Sequence, residues 1–279
     1  MVQTVGVVGA GTMGVGIGYV FAASGCEVTV VDRDPQQISQ AQVVIAEQAQ
    51  KAAHRGKLDN TTAAALSARI SWGADIDELP THLDLAVEAV PERVELKASV
   101  LTAVEGRDPA VLASNTSGIS IGQLAAGLRT PESFLGLHFF NPVWSMPLVE
   151  IVRGHQTGQM ALQVAEGAVA QIGKHKIIVT DAPGFATSRL GVAIGLEAMR
   201  MLEEEVAGAE DIDKAMELGY RHPMGPLRLT DLVGLDVRLD IATNLARAYG
   251  PRFDPPRILI DKVAAGELGR KTGRGFYIW

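Results

Sequence analysis

The sequence predicts an α/β protein: a doubly wound, mostly parallel sheet followed by an all-helical C-terminal domain. Three observations predict it. Short Val- and Ile-rich runs alternate with longer helix-like stretches through the first two thirds of the chain. The first of those runs stops on a glycine-rich turn, Gly9-Ala10-Gly11-Thr12-Met13-Gly14. Beyond Asp181-Ala182-Pro183-Gly184 almost no strand-like segment remains. The boundary is drawn there, giving domains 1–182 and 183–279.

The elements follow in order. Thr4 to Gly9 reads as a strand, and the proline-free stretch Gly11 to Ser24 as a helix. Glu27 to Asp32 is Val-rich and strand-like, and Pro35, a favoured first helical residue, opens a helix to His54. Arg69–Trp72, Leu83–Ala89, Val111–Ser114, Phe134–His138 and Leu148–Val152 are further strands, with a helix over Arg93–Glu105. Gly158–Ile172 adds a helix and Lys176–Val179 a strand. The remainder reads as helices over Ser188–Glu205, Ala209–Leu218, Pro226–Tyr249 and Pro255–Ala265, separated by Gly or Pro.

Composition narrows the function. With 47% apolar and 20% charged residues in 279, the chain closes a large core and is not a disordered segment. A net charge of −7 without a Lys/Arg block leaves no footprint for nucleic acid or an anionic lipid surface, so neither is an expected partner. Cys26 is the only cysteine, which rules out an intrachain disulfide and fits a reducing compartment as a buried thiol. No run of about 18 apolar residues predicts a membrane span, and a cytoplasmic location is expected.

The glycine turn fits G-x-G-x-x-G, a pattern informative only in context. Here Gly9 closes a strand, Gly11 admits a pyrophosphate against bare backbone, and Gly14 lets the next helix pack on the sheet. With Thr12 and Met13 in the first helical turn, free N–H groups face the phosphates. Asp32 ends the second strand, 18 residues past Gly14, where a carboxylate accepts the adenosine ribose hydroxyls and repels a 2'-phosphate. The unit is a Rossmann-type dinucleotide site and predicts NAD; Arg33 beside Asp32 keeps NADP open as the lesser alternative.

His138 ends a predicted strand, where open parallel sheets place their ligands, and imidazole is the side chain that exchanges protons near neutral pH. It is a candidate general base. Glu150, one strand later, is placed to hold its far nitrogen.

Ser114-Asn115-Thr116-Ser117, Gly136-Leu137-His138-Phe139-Phe140-Asn141-Pro142-Val143 and Leu148-Val149-Glu150 together resemble the 3-hydroxyacyl-CoA dehydrogenase family. The likeness covers essentially the whole chain, including Pro183-Gly184-Phe185, Pro223-Met224-Gly225-Pro226 and Lys271-Thr272-Gly273-Arg274-Gly275-Phe276-Tyr277. Its length is similar to the stand-alone 3-hydroxybutyryl-CoA dehydrogenases. The resemblance implies hydride exchange between NAD and an acyl-CoA substrate, with His138 as base, Glu150 as its partner and Ser117 on the reacting oxygen. It also implies that Asn115, Ser117 and Asn141 lie by the cofactor, with Glu92, Lys97 and Lys271 near its nicotinamide half. Lys51 and Arg55, with Lys57, form a basic cluster roughly where the family receives the CoA nucleotide; a solvated helix face is the alternative for that cluster.

The chain departs from the family at Ser188, in Pro183-Gly184-Phe185-Ala186-Thr187-Ser188-Arg189, where the usual residue is an asparagine that contacts substrate. Serine is shorter but still donates one hydrogen bond. The family's helical domain dimerises, so a homodimer is implied. Other hydroxy-acid dehydrogenases of the L-gulonate dehydrogenase and lambda-crystallin type share the scaffold, and a catalytically silent NAD-binding protein is the alternative of a different class.

Overall fold

The computed structural model describes residues 1–279, with the side chain of Asn60 left aside. Two compact units divide the chain, Met1–Asp181 and Ala182–Trp279.

The first unit is built on eight strands: β1 (Thr4–Val8), β2 (Glu27–Val31), β3 (Ile70–Gly73), β4 (Leu85–Glu88), β5 (Leu112–Ser114), β6 (Phe134–Phe139), β7 (Leu148–Arg153) and β8 (His175–Thr180). They form one sheet in the order β3-β2-β1-β4-β5-β6-β7-β8. Every neighbouring pair is parallel except β6–β7. The chain winds outward from β1 to β3 and then restarts on the other side of β1 with β4. The carboxyl ends of β1 and β4 therefore flank the point where the winding reverses, where ligands of such sheets collect.

The helices of this unit are α1 (Thr12–Ala23), α2 (Pro35–His54), α3 (Asn60–Leu66), α4 (Val94–Glu105), α5 (Ile121–Ala125) and α6 (Gln159–Gln171). Val5, Val7, Val28, Val30, Leu85, Val87 and Ile151 are nearly inaccessible and share one core with Ile17 and Phe21 of α1 and Ala165 of α6. Such continuous apolar strands are what a sheet covered by helices requires. Local signals start the helices: the Asp34 carboxylate caps Gln36 N at 2.9 Å with Pro35 in the first turn, and Asp59 caps Thr62 N at 2.8 Å. Cys26 is buried, as expected of an inert thiol.

The second unit contains α7 (Thr187–Glu203), α8 (Ala209–Lys214), α9 (Pro226–Val233), α10 (Leu235–Tyr249) and α11 (Arg257–Ala264). Val192, Leu196 and Met199 of α7 meet Leu227 of α9, Leu235, Ala242 and Leu245 of α10 and Leu259 of α11 in its core. Two sequence expectations need correction here. The stretch Pro226–Tyr249 is two helices, not one, because Gly234 takes φ 107°, ψ 129° and breaks the hydrogen-bond ladder. The helix expected over Ala209–Leu218 loosens after Lys214 into a π-helical turn over Ala215–Gly219. Helices α3 and α5 are too short for the sequence pattern to reveal, and neither carries a strong apolar stripe.

Candidate active site

The glycine turn lies at the reversal point of the sheet. Gly9 has φ 106°, and a Cβ there would lie 2.7 Å from the Ala89 carbonyl oxygen just past β4. A Cβ on Gly14 would clash with the Gly9 carbonyl oxygen at 1.8 Å, so both positions demand glycine. At Gly11, by contrast, an added Cβ meets nothing within 4 Å: this face of the turn is open. Gly11 is also the N-cap of α1 and supplies no side-chain cap to the first turn, which includes Thr12, Met13 and Gly14. Asp32, just past β2, accepts Ala10 N at 2.7 Å through Oδ2 and Asp34 N at 2.9 Å through Oδ1. It therefore ties the glycine turn to the second strand, and each oxygen retains a lone pair for a further donor.

Between β4 and β5 lies a buried ionic network. Lys97, in the first turn of α4, is 1% exposed. Its Nζ lies 2.7 Å from Glu88 Oε1, 3.1 Å from the Val90 carbonyl and 3.3 Å from Glu92 Oε2. The second oxygen of Glu88, which is fully buried, accepts the Ser114 hydroxyl at 2.6 Å. Glu92 gathers the turn after β5: its Oε1 accepts Thr116 Oγ1 at 2.6 Å, Ser117 N at 2.9 Å, Gly118 N at 3.1 Å and Ser117 Oγ at 3.2 Å. Burial raises the pKa of Glu92, but Lys97 and the bonds from Thr116 and Ser117 outweigh it and hold the carboxyl below its usual range. Asn115 Oδ1 accepts Phe139 N at 3.0 Å and so links the end of β5 to β6.

His138, the fifth residue of β6, is 6% exposed, and Glu150 of β7 is fully buried. The two are direct partners in the antiparallel ladder, and His138 Nδ1 lies 2.6 Å from Glu150 Oε2. The ring of Phe140 tilts against the imidazole, with centroids 4.5 Å apart. Asn141 follows, exposed, at the cis peptide to Pro142. Lys174 then holds the next turn by donating to the carbonyls of Val143 and Met146, both at 2.6 Å.

In the helical unit, Ser188 lies in the first turn of α7, half-buried. Lys271 pairs with both carboxylate oxygens of Asp236 at 2.6 Å, at the start of α10. Lys51 lies in the last turn of α2 and pairs with Glu47 at 2.9 Å, and Arg55 caps the same helix. Both basic residues lie on solvent-facing surface.

Residues 4–182 match the family described as 3-hydroxyacyl-CoA dehydrogenase, NAD binding domain, and residues 184–279 match its C-terminal domain. The chain belongs to the 3-hydroxyacyl-CoA dehydrogenase family. A 3-hydroxybutyryl-CoA dehydrogenase of Mycobacterium tuberculosis is 41% identical over 283 residues, covering 100% of this chain and 99% of that one. The mitochondrial hydroxyacyl-coenzyme A dehydrogenase of Sus scrofa is 37% identical, with 99% and 91% covered. The crystal structure of (S)-3-hydroxybutyryl-CoA dehydrogenase from Ralstonia eutropha superimposes with a TM-score of 0.95 at 38% identity, over 100% of this chain and 99% of that one.

Membership makes the chain an NAD-dependent oxidoreductase, and the residues present fit the cofactor. The open face at Gly11, the uncapped N-terminus of α1 and a carboxylate at the end of β2 are the donors and acceptor that a pyrophosphate and a ribose need. Sequence reasoning missed Glu88 and Lys174. A glutamate closing the otherwise apolar run Leu85-Ala86-Val87 was the available signal for Glu88, since a buried carboxylate requires a partner. Lys174 carried no signal, because its two carbonyl acceptors are 28 and 31 residues away in sequence.

Proposed function

We propose that the chain interconverts short-chain (S)-3-hydroxyacyl-CoA and 3-oxoacyl-CoA, with 3-hydroxybutyryl-CoA and acetoacetyl-CoA as one such pair, and that His138 is the base. The observation that carries this reading is the buried 2.6 Å contact between His138 Nδ1 and Glu150 Oε2 at the end of the sheet where ligands collect.

With Nδ1 engaged by Glu150, proton exchange is assigned to Nε2. In oxidation, Nε2 takes the proton of the C3 hydroxyl, and the Glu150 carboxylate stabilises the imidazolium so formed. NAD, when bound, supplies the hydride acceptor at C3. Ser117 is held to Glu92 through its backbone N–H, and with substrate bound its hydroxyl turns its one proton from Glu92 to the reacting oxygen, favouring the charge that develops there. Reduction reverses these transfers.

The backbone of Gly9, Gly11, Thr12, Met13 and Gly14 would hold the pyrophosphate and Asp32 the adenosine ribose. Glu92, Lys97, Asn115, Asn141 and Lys271 are assigned to the nicotinamide half. Lys51 and Arg55 are assigned to the CoA phosphates and Ser188 to the acyl group, in place of the family's asparagine.

A homodimer through the helical unit is supported by the exposed apolar residues Leu190 and Ile194 on α7, Val233 on α9 and Val237 on α10. A cytoplasmic setting is supported by the single, unpaired, buried cysteine. No helix among the described residues is long and apolar enough to cross a membrane.

The test is NADH formation with (S)-3-hydroxybutyryl-CoA, free 3-hydroxybutyrate and L-gulonate. Turnover of the thioester alone is expected; a free acid oxidised as fast would overturn the CoA reading.

A further inference from the structure

The ionic cluster at the carboxyl ends of β4 and β5 is not charge-balanced. Lys97 Nζ lies 2.7 Å from Glu88 and 3.3 Å from Glu92, and no other cation pairs with either carboxylate among the described residues. Two carboxylates share one ammonium, which leaves a single negative charge in excess. The side chains of Glu88 and Lys97 are 0% and 1% exposed; only that of Glu92, 41% exposed, reaches solvent. The neighbouring charges Arg93 and Glu95 are opposite in sign, lie on solvent-facing surface and are screened there. The positive N-terminal end of α4 supplies about half a charge, which reduces the excess without cancelling it. No step of the proposed reaction uses Glu88.

The sheet order places this cluster under one half of the dinucleotide. The glycine turn follows β1 and Asp32 follows β2. With the adenosine half on the β2 side, the nicotinamide half extends the other way, over the carboxyl ends of β4 and β5. Glu88 is the last residue of β4, and Ser114, whose hydroxyl donates to it at 2.6 Å, is the last of β5. The next residue, Ala89, lies against the glycine turn itself, since a Cβ on Gly9 would come within 2.7 Å of its carbonyl oxygen. The nicotinamide ring carries a formal positive charge in NAD and none in NADH. A fixed negative charge beside it therefore favours the oxidised form.

We propose that Glu88 is a positioning residue acting through Lys97: it takes up the charge of the ammonium, leaves Glu92 in excess and so tightens the binding of NAD relative to NADH. The inference rests on the assignment of Glu92 and Lys97 to the nicotinamide half. Lys271, the other cation assigned there, is paired with Asp236 and adds no net charge. Raising the affinity for NAD relative to NADH lowers the potential of the bound couple and favours hydride donation to a 3-oxo group. Each tenfold in that ratio is about 30 mV for a two-electron couple.

Glu88→Gln isolates the charge. Its amide oxygen can accept Val90 N and Lys97 Nζ, as Glu88 Oε1 does at 2.7 Å each, and its amide nitrogen can donate to Ser114 Oγ. The test measures dissociation constants of NAD, by calorimetry, and of NADH, by fluorescence, for the wild type, Glu88→Gln, Ser114→Ala and Glu92→Gln. Glu88→Gln is expected to weaken NAD relative to NADH by about tenfold, the scale of one partly screened unit charge. Ser114→Ala removes a hydrogen bond but no charge, and should leave the ratio within about twofold. An unchanged ratio in Glu88→Gln overturns the inference. So does equal weakening of both nucleotides, or the same shift in Ser114→Ala, either of which marks a packing role. Glu92→Gln removes the same unit charge from a partly exposed position and must move the ratio in the same direction, which decides the matter if Glu88→Gln does not fold. A Glu92→Gln protein that binds both nucleotides as the wild type does would refute the nicotinamide assignment beneath the inference. A wild type that binds both but turns over no thioester would refute the proposed substrate alone.

Discussion

His138 and Glu150 face each other across the antiparallel pair β6–β7, and their Nδ1 and Oε2 atoms are 2.6 Å apart. Directly opposed residues of a ladder share one side of the sheet, so the register itself delivers the carboxylate to the imidazole. A slip of one residue would turn Glu150 to the other face. The buried neighbours Val149 and Ile151, both 0% exposed, oppose that slip.

Asp32 underlies the expected choice of NADH over NADPH. Its carboxylate is fixed by Ala10 N and Asp34 N, so it cannot swing aside for a 2'-phosphate. kcat/KM with NADPH is expected to be lower than with NADH by about a hundredfold, the scale of one close like-charge contact in a confined site. Equal turnover with the two would contradict this and direct attention to Arg33.

Lys97 bridges Glu88 and Glu92 from within the core. Lys97→Met leaves the Glu88 carboxylate buried without its cation and should cost about 3–5 kcal/mol in urea unfolding. Adding Glu88→Gln should restore much of the loss. A single variant as stable as the wild type would show that the network contributes nothing to folding.

The pH dependence of stability carries the mark of Glu92. Its folded pKa lies below the ordinary glutamate value of 4.5, so its contribution is fully present above pH 4.5 and lost as pH falls through the lower, folded value. The gap in urea midpoint between the wild type and Glu92→Gln should therefore shrink on acidification from pH 6 to about pH 3. A gap independent of pH would exclude ionised Glu92 as its source.

Ser188 is expected to donate one neutral hydrogen bond to substrate, worth about 0.5–1.5 kcal/mol. Ser188→Ala should then lower kcat/KM for acetoacetyl-CoA by roughly 2- to 13-fold, and Ser188→Asn should stay active. An unchanged value for Ser188→Ala would reduce the residue to a helix-start serine.

Much of this was legible in the sequence because it is local. Period and punctuation located all eight strands, and the G-x-G-x-x-G turn with Asp32 fell where β1 and β2 end. What was hidden depends on distance. Lys97 falls near the start of the predicted helix Arg93–Glu105, where nothing local marks it as buried, yet Glu88, nine residues away, and the carbonyl of Val90 hold it in the core. Gly234 lies inside the stretch Pro226–Tyr249 that the sequence predicts as one helix, and only its positive φ shows a break.

The most direct test of the account is the rate of acetoacetyl-CoA reduction by His138→Ala, with NADH affinity measured on the same preparation. General-base catalysis contributes about a hundredfold to ten-thousandfold. The account predicts a loss of kcat in that range, a smaller loss for Glu150→Gln, and NADH binding close to wild type in both. A His138→Ala enzyme that kept more than about a tenth of the wild-type kcat would contradict it.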